Sequence, residues 1–364
     1  MFSPDDHRYM AQALRLAEQG LYTTSPNPRV GCIIAREGKV IGQSWHERAG
    51  QPHAEINALN IAGKKARGAT VYVTLEPCNH HGQTGPCSDA LIEAGVARVV
   101  AAMQDPNPLV NGGGLKKLKQ AGVQTEHGIL ETEVRELNIG FISRMARCRP
   151  WVRMKIAASL DGKTALNNGK SRWITGEPAR QDAHHWRARS CAVLTGIGTI
   201  KDDDPQLTVR HVKTTRQPLR VVVDSKLEIL PSARVLQGGG ALVFCAVDDK
   251  ERIARLREVG VKVIILPNQE GKVELGQMMA SLAKFEVNEV LVEAGFRLNG
   301  SLLKAGLVDE VLLYIAPYVL GDKARGMFEL PELTELTGRR ELKILDLRMV
   351  GRDMRMLARF ADDG

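Results

Sequence analysis

His53, Glu55, Cys78 and Cys87 are the side chains of this sequence best suited to chemistry. One imidazole and two thiolates suit Zn²⁺, and three protein ligands leave a fourth coordination position for water. Zinc bound there would lower the pKa of that water and make it a nucleophile near neutral pH. Glu55 lies two residues after the histidine, too close to be an easy fourth ligand but well placed to carry protons. A closed structural zinc site is the alternative. It would need a further Cys or His, and His80 and His81 are at hand.

The elements around these residues are legible. Pro52 to Leu59 reads as a helix start, with Ile56, Leu59 and Ala62 as its buried stripe. Thr70 to Leu75 is β-branched and aromatic, so it reads as a strand that brings Cys78 to a strand end. Pro86 opens a helix that runs to Ala94, with Gly95 as its stop. Cys87 then sits at a helix N-terminus, where the dipole favours a thiolate. His-x-Glu followed by Pro-Cys-x-x-Cys is the pattern of zinc-dependent hydrolytic deamination. Here the second half departs from it, because eight residues, Asn79 to Pro86, separate the cysteines.

The 364 residues suffice for two domains with a core in each. No apolar run reaches transmembrane length, and Met1 to Asp5 does not open a signal peptide, so a cytoplasmic protein without a membrane partner is expected. Cys32, Cys148, Cys191 and Cys245 are scattered, as buried thiols are in a reducing compartment. The net charge of +8 favours anionic ligands. Aromatic residues make up only 4% and no long basic tract occurs, which favours phosphorylated small molecules over nucleic acid.

The chain divides near Ala146 to Pro150, giving domains 1–147 and 148–364. The first reads helix, two strands, helix, strand, helix, strand, helix, a three-layer α/β pattern. Ser3 to Asp6 opens its first helix, Glu37-Gly38 is a hairpin turn, and Glu131 to Met145 is one helix. The second is a further α/β pattern. Its strands are expected at Trp151 to Ser159, Cys191 to Thr195, Leu219 to Asp224, Ala241 to Ala246, Val261 to Leu266, Glu289 to Glu293 and Val311 to Ala316. Helices are expected at Pro178 to Arg189, Asp249 to Val259 and Val273 to Phe285. Gly196 to Thr199 and Glu293 to Ser301 each follow a strand, and amides at a helix start can bind phosphate. Neither matches a full dinucleotide fingerprint, and turn or packing glycines are the plain alternative. Arg187 and Arg210 could clamp phosphate, or be solvated or structural.

Taken together, these segments resemble the bifunctional deaminase–reductase family of riboflavin biosynthesis over nearly the whole chain. The carriers are Pro26-Asn27-Pro28-Arg29-Val30-Gly31, Gly50 to Glu55, Thr74 to Gly82, Gln83 to Cys87 and Asp105 to Pro108. In the second half they are Ala158 to Gly162, Trp173-Ile174-Thr175, Asp203 to Arg210 and Gly306 to Glu310. The wide cysteine spacing is the family's own. Asn79, Gln83 and Gly85 depart from its usual Ser, Arg and Pro.

The resemblance implies a cytidine-deaminase-like first domain and a dihydrofolate-reductase-like second domain that uses NADPH. It implies zinc on His53, Cys78 and Cys87, with Glu55 catalytic. Asn27 would read the pyrimidine edge, with His46, His80 and Asn107 as weaker pocket candidates. NADPH would meet Ala157, Trp173, Thr199, Asp203, Ser225 and the run Gly295, Phe296, Arg297, Leu298, Asn299, Gly300 and Ser301. The substrate would meet Ser171, Arg187, Leu207, Arg210 and Glu293. The implied reactions are hydrolytic deamination of a phosphoribosylated diaminopyrimidine, then reduction of its ribosyl group to ribityl. A homo-oligomer is expected. A nucleic-acid deaminase with an appended binding domain, or a zinc-stabilised binding protein, are the rival readings.

Overall fold

The computed structural model describes residues 2–79, 85–108 and 110–361. The chain forms two compact units, Met1–Arg149 and Pro150–Gly364.

In the first unit, α1 (Pro4–Glu18) begins at a reciprocal cap. Asp6 N–H donates to Ser3 Oγ, and Ser3 N–H donates to the Asp6 carboxylate. The hairpin of β1 (Gly31–Arg36) and β2 (Lys39–Trp45) turns at Glu37 and Gly38, both at positive φ as a two-residue turn of this hand requires. Then come α2 (Ala54–Ala62), β3 (Thr70–Val73), α3 (Cys87–Glu93), β4 (Arg98–Ala101), α4 (Gly113–Gln120), β5 (Gln124–His127), α5 (Glu131–Leu137) and α6 (Ile139–Arg147).

The five strands lie in the order β2-β1-β3-β4-β5. The β1 pairings are antiparallel and the rest parallel. A Cβ on Gly31 would lie 2.0 Å from Ala13 O of α1, and one on Gly42 would lie 2.4 Å from Ala58 O of α2. Gly42 pairs with Ile34, three residues from Gly31, so the two glycines face opposite sides of the sheet. Helices α1 and α2 therefore cover opposite faces, and the expected three layers result.

Three expectations need correction in this unit. The buried face of α2 is Ala54, Glu55, Ala58 and Ala62, while Ile56 and Leu59 are only half-buried. Small residues at the contact let the helix close on Gly42. The expected helix 131–145 is broken at Asn138. The buried Asn138 amide accepts Arg29 N–H at 2.7 Å and donates to Arg29 O at 3.0 Å, and so anchors the loop before β1. The sheet also has a fifth strand, β5, which the sequence reading lacked.

The second unit contains β6 (Trp151–Ser159), β7 (Lys163–Ala165), α7 (Glu177–Arg189), β8 (Ala192–Gly196), α8 (Ile197–Asp203), β9 (Leu219–Val223), β10 (Ala241–Cys245), α9 (Lys250–Glu258) and β11 (Lys262–Ile265). It continues with α10 (Leu275–Lys284), β12 (Glu289–Val292), α11 (Phe296–Lys304), β13 (Glu310–Ala316), β14 (Arg325–Gly326), β15 (Leu342–Val350) and β16 (Asp353–Phe360). Nine strands form one sheet in the order β11-β10-β9-β8-β12-β6-β13-β16-β15, and β7 pairs separately with β14. The main sheet is parallel up to β13, and only the β16 pairings are antiparallel.

Along β6, Val152, Met154, Ile156 and Ala158 join the core under α10 and α11. Alternation sends Arg153, Lys155 and Ala157 to the other face, the side of α7. There Arg153 is fully buried, bonded to Glu310 at 2.5 Å and Glu289 at 3.2 Å, with its guanidinium over the Trp186 ring. The edge strand β15 leaves Leu342, Ile344, Leu345, Leu347 and Met349 exposed. Among the described residues no helix is long and apolar enough to cross a membrane.

Candidate functional site

In the first unit, His53 is the N-cap residue of α2 and Cys87 is the first residue of α3. Cys78 lies in the turn that follows β3. That strand ends at Val73 rather than Leu75, because the chain turns Glu76 inward. The Glu76 carboxylate accepts N–H bonds from Asp105, Gly112, Gly114 and Leu115 at 2.9–3.1 Å. This gathers the start of α4 against Pro77, where a Cβ on Gly114 would lie 1.9 Å from the carbonyl oxygen.

His53 Nδ1, Cys78 Sγ and Cys87 Sγ all lie within 4.8 Å of one another. The imidazole nitrogen is 3.3 Å from Cys87 Sγ and 3.6 Å from Cys78 Sγ. Tetrahedral zinc with Zn–N of about 2.0 Å and Zn–S of about 2.3 Å needs N···S edges of about 3.5 Å, so the triangle fits the ion. Hydrogen bonding from Cys87, side chain and backbone, together with His53, holds the Cys78 thiol down at about 4 against its burial; the same proximity pushes Cys87 up. Two sulfurs and an imidazole nitrogen at this spacing make a donor set that a divalent cation would complete.

Glu55 is buried in the first turn of α2, and its Oε2 has no hydrogen-bond partner among the described residues. Burial raises its pKa, His53 opposes this, and Cys78 adds to the rise. A buried carboxyl with one free oxygen beside the triangle is what a proton carrier needs. His46 is also buried, with its ring edge-on to His53 at 5.3 Å. Its Nδ1 meets Pro52 O at 3.2 Å, so Nδ1–H donates there and Nε2 accepts from Asn27 Nδ2 at 3.1 Å. This fixes the Asn27 amide and frees its oxygen to accept. His80 and His81, named above as pocket and ligand candidates, lie outside the described residues.

In the second unit a cavity of about 720 Å³ opens on the α7 face, at the C-terminal ends of β6, β8 and β12. Crevices beyond the carboxyl ends of parallel strands are the usual ligand sites of such sheets. Ala157, Trp173, Thr199, Asp203, Gly295, Phe296 and Asn299 of the expected cofactor set line it, as do Ser171, Arg187, Leu207, Arg210 and Glu293 of the expected substrate set. Ser225, Arg297, Leu298, Gly300 and Ser301 lie outside the lining. Gly300 serves packing, since a Cβ there would lie 2.1 Å from Glu329 O. Ser225 Oγ accepts Val273 N–H at 3.2 Å beyond β9.

The geometry suits a dinucleotide. The N-terminus of α11 faces the cavity at Gly295, which carries no side chain, and the buried Asn299 Oδ1 has no partner among the described residues. The expectation for Arg187 changes. Its guanidinium is bonded twice to Glu293, at 2.5 and 2.9 Å, and once to Thr208 O at 3.2 Å, so it is committed within the protein. Burial would raise Glu293, yet Arg187 and Lys155 bring it down to about 2. Arg210 is exposed and, among the described residues, bonds only neutral groups, Gln206 and Thr208, so its charge is offered to an anion, as is that of Arg180, which also lines the cavity and bonds Thr175 O.

Lys155 and His184 also line the cavity and were missed in the sequence. For Lys155 there was a signal, a lone lysine within a buried apolar strand. Burial lowers its pKa, against the pull of Glu293 at 4.0 Å. For His184 there was none, because it reads as one more polar residue of α7.

Comparison with known proteins matches a separate family model within each unit. Residues 150–356 match the model of the RibD C-terminal domain. Residues 3–103 match the cytidine and deoxycytidylate deaminase zinc-binding region. The chain is 47% identical over 361 residues to riboflavin biosynthesis protein RibD of Escherichia coli (strain K12), covering 96% of this chain and 98% of that one. It superposes on Acinetobacter baumannii RibD, form 1, with a TM-score of 0.92 and 42% identity, over 98% of this chain and 99% of that one. With the diaminohydroxyphosphoribosylaminopyrimidine deaminase/5-amino-6-(5-phosphoribosylamino)uracil reductase of Thermotoga maritima the TM-score is 0.86, at 32% identity over 98% and 99% of the two chains.

Proposed function

The chain belongs to the RibD family, and from that membership we infer that it is a bifunctional enzyme of riboflavin biosynthesis, a deaminase and a reductase in one polypeptide. We assign deamination to residues 1–147 and reduction to residues 148–364. The first substrate is 2,5-diamino-6-(5-phosphoribosylamino)pyrimidin-4(3H)-one. Water replaces its 2-amino group and ammonia leaves. The second is 5-amino-6-(5-phosphoribosylamino)uracil, whose ribosyl group is reduced to ribityl. The observation that carries the reading is the His53–Cys78–Cys87 triangle beside the buried carboxyl of Glu55, whose Oε2 has no partner among the described residues.

Zinc held by His53, Cys78 and Cys87 supplies an acidified water. Glu55 takes a proton from the attacking water and delivers one to the departing nitrogen. Asn27, held by His46, accepts from the pyrimidine edge. In the reductase, bound NADPH would supply a hydride to the sugar carbon of the imine formed when the ribose ring opens, with a proton from solvent completing the amine. The amides of the first turn of α11 would hold a cofactor phosphate, with Thr199 and Asp203 also lining the cavity. Arg210 meets the substrate phosphate, and Ser171, Leu207 and the Glu293–Arg187 pair line its pocket.

We place the enzyme in the cytoplasm and expect it to self-associate. Six free cysteines and the exposed apolar row on β15 support these two points. Its partners are phosphoribosylated pyrimidines rather than nucleic acid. Incubation of the pure protein with the diaminopyrimidine tests the function. Ammonia without NADPH, and a gain of two further hydrogens with it, are expected by mass analysis. Deamination of single-stranded oligonucleotides instead would favour the rival reading.

A further inference from the structure

The segment Leu207 to His211 brings Leu207 and Arg210 to the cavity without forming helix or strand. Its ends are both at positive φ, 54° at Leu207 and 63° at His211, so nothing in its own backbone preference holds it in place. Side chains do so instead. Arg187 donates to Thr208 O at 3.2 Å, and Gln217 bonds both backbone groups of Val209, at 2.7 and 3.2 Å. His184 Nδ1 accepts Arg210 N–H at 3.0 Å. His184 and Arg187 are three residues apart on α7, so one helical face supplies two of the three pins.

We propose that His184 is the positioning residue for Arg210, holding its backbone so that the guanidinium stands at the mouth of the reductase cavity. The geometry fixes the state of the ring. An Nδ1 that accepts a backbone N–H carries no proton, so His184 is the neutral Nε2–H tautomer. Only 6% of the residue is exposed, and burial, then Arg187 and Arg210, depress its pKa to about 4, so it stays neutral across the physiological range. The His211 ring packs edge-on against it at 5.1 Å and closes the turn on the same anchor. The inference rests on the assignment of Arg210 to the substrate phosphate. It adds that this site is built from α7 and is weakened when one acceptor atom is removed.

The test compares His184→Leu, which removes the acceptor, with His184→Asn, whose Oδ1 can replace Nδ1. Arg210→Ala is run alongside, and all are assayed for NADPH-dependent reduction of the deaminated intermediate. His184→Leu is expected to raise KM for the intermediate about tenfold, ~1.4 kcal/mol, with kcat within about threefold. His184→Asn is expected to restore KM to near the parent value. NADPH affinity by direct titration and ammonia release should be unchanged in both His184 variants. If Arg210→Ala raises KM while His184→Leu does not, the positioning role is overturned and the phosphate assignment stands. A His184→Asn variant as impaired as His184→Leu overturns it as well, since packing and not the acceptor would then matter. If Arg210→Ala leaves KM unchanged, the phosphate assignment falls and takes the positioning role with it.

Discussion

Replacing Glu76 by Gln exchanges one oxygen for an NH₂ at a point where two oxygens serve four backbone donors. Whichever way the amide turns, two buried N–H groups then face another donor. An orphaned buried donor costs ~1–3 kcal/mol, so the change should cost about 4 kcal/mol within a range of ~2–6. That is a large share of the ~5–15 kcal/mol that holds a domain folded. The damage has an address. Three of the four donors lie at the entry to α4, which abuts Pro77 and, through it, the turn that carries Cys78. Glu76→Gln should therefore lower the melting transition of the first unit by at least ~5 °C and speed zinc release to a chromophoric chelator. The transition of the second unit and reduction of supplied intermediate should not move. Calorimetry and stopped-flow chelation measure the two effects. A variant that melts and releases zinc like the parent would refute the argument that this carboxylate holds the metal-bearing turn.

At the zinc triangle, Cys87→Ser should lose metal and deamination together, whereas Glu55→Gln should keep about one zinc per chain and lose deamination alone. Metal analysis showing an empty Glu55→Gln site would make Glu55 a ligand instead. Reduction of supplied intermediate should survive Glu55→Gln, and its loss would argue for coupled sites. Gly295 has φ −78° and ψ 167°, which any residue adopts, and a Cβ there would make only an ordinary 3.7 Å contact with Thr199. Gly295→Val should thus fold normally yet weaken NADPH binding by intruding into the cavity; tight binding by the folded variant would remove this turn from the cofactor site. Arg153→Met removes the cation shared by Glu289 and Glu310 in the sheet interior, leaves them Arg189 and Arg359, and should destabilise the second unit by ~1.5–3 kcal/mol, read by urea unfolding, with an unchanged midpoint counting against the buried network.

What could be read from the sequence was whatever local chemistry determines. Val71 to Val73, Val221 to Val223 and Val290 to Val292 announce buried strands by composition, and the zinc ligands announce themselves by type and spacing. Gln124 to His127 has no apolar residue and becomes a strand only because β4 offers it an edge. In Leu342 to Val350 charged and apolar residues mix without a buried face, so β15 depends on pairing with β16 rather than on its own pattern. The helix break at Asn138 serves a loop more than a hundred residues earlier, which no window around residue 138 contains. The same holds at the cavity. Arg187 was visible as a cation, but its commitment to Glu293, and the acceptor role of His184, exist only once α7 lies against the strand ends.

The order of strands in the second unit has a consequence for how the chain is made. β6 is the first strand of that unit to leave the ribosome, yet its hydrogen-bond partners are β12 and β13, near the end of the chain. At ~5–20 residues per second of synthesis, it waits on the order of ten seconds for them. Strands β8 to β11 can pair among themselves meanwhile, and the first unit, whose strands join neighbours close in sequence, can already be complete. Throughout that interval Val152, Met154 and Ile156 have no sheet to enter. The nascent second unit therefore carries an unpaired apolar strand until Glu289 has been made, and a polypeptide that stalls before Glu289 leaves the ribosome with the centre of its sheet missing.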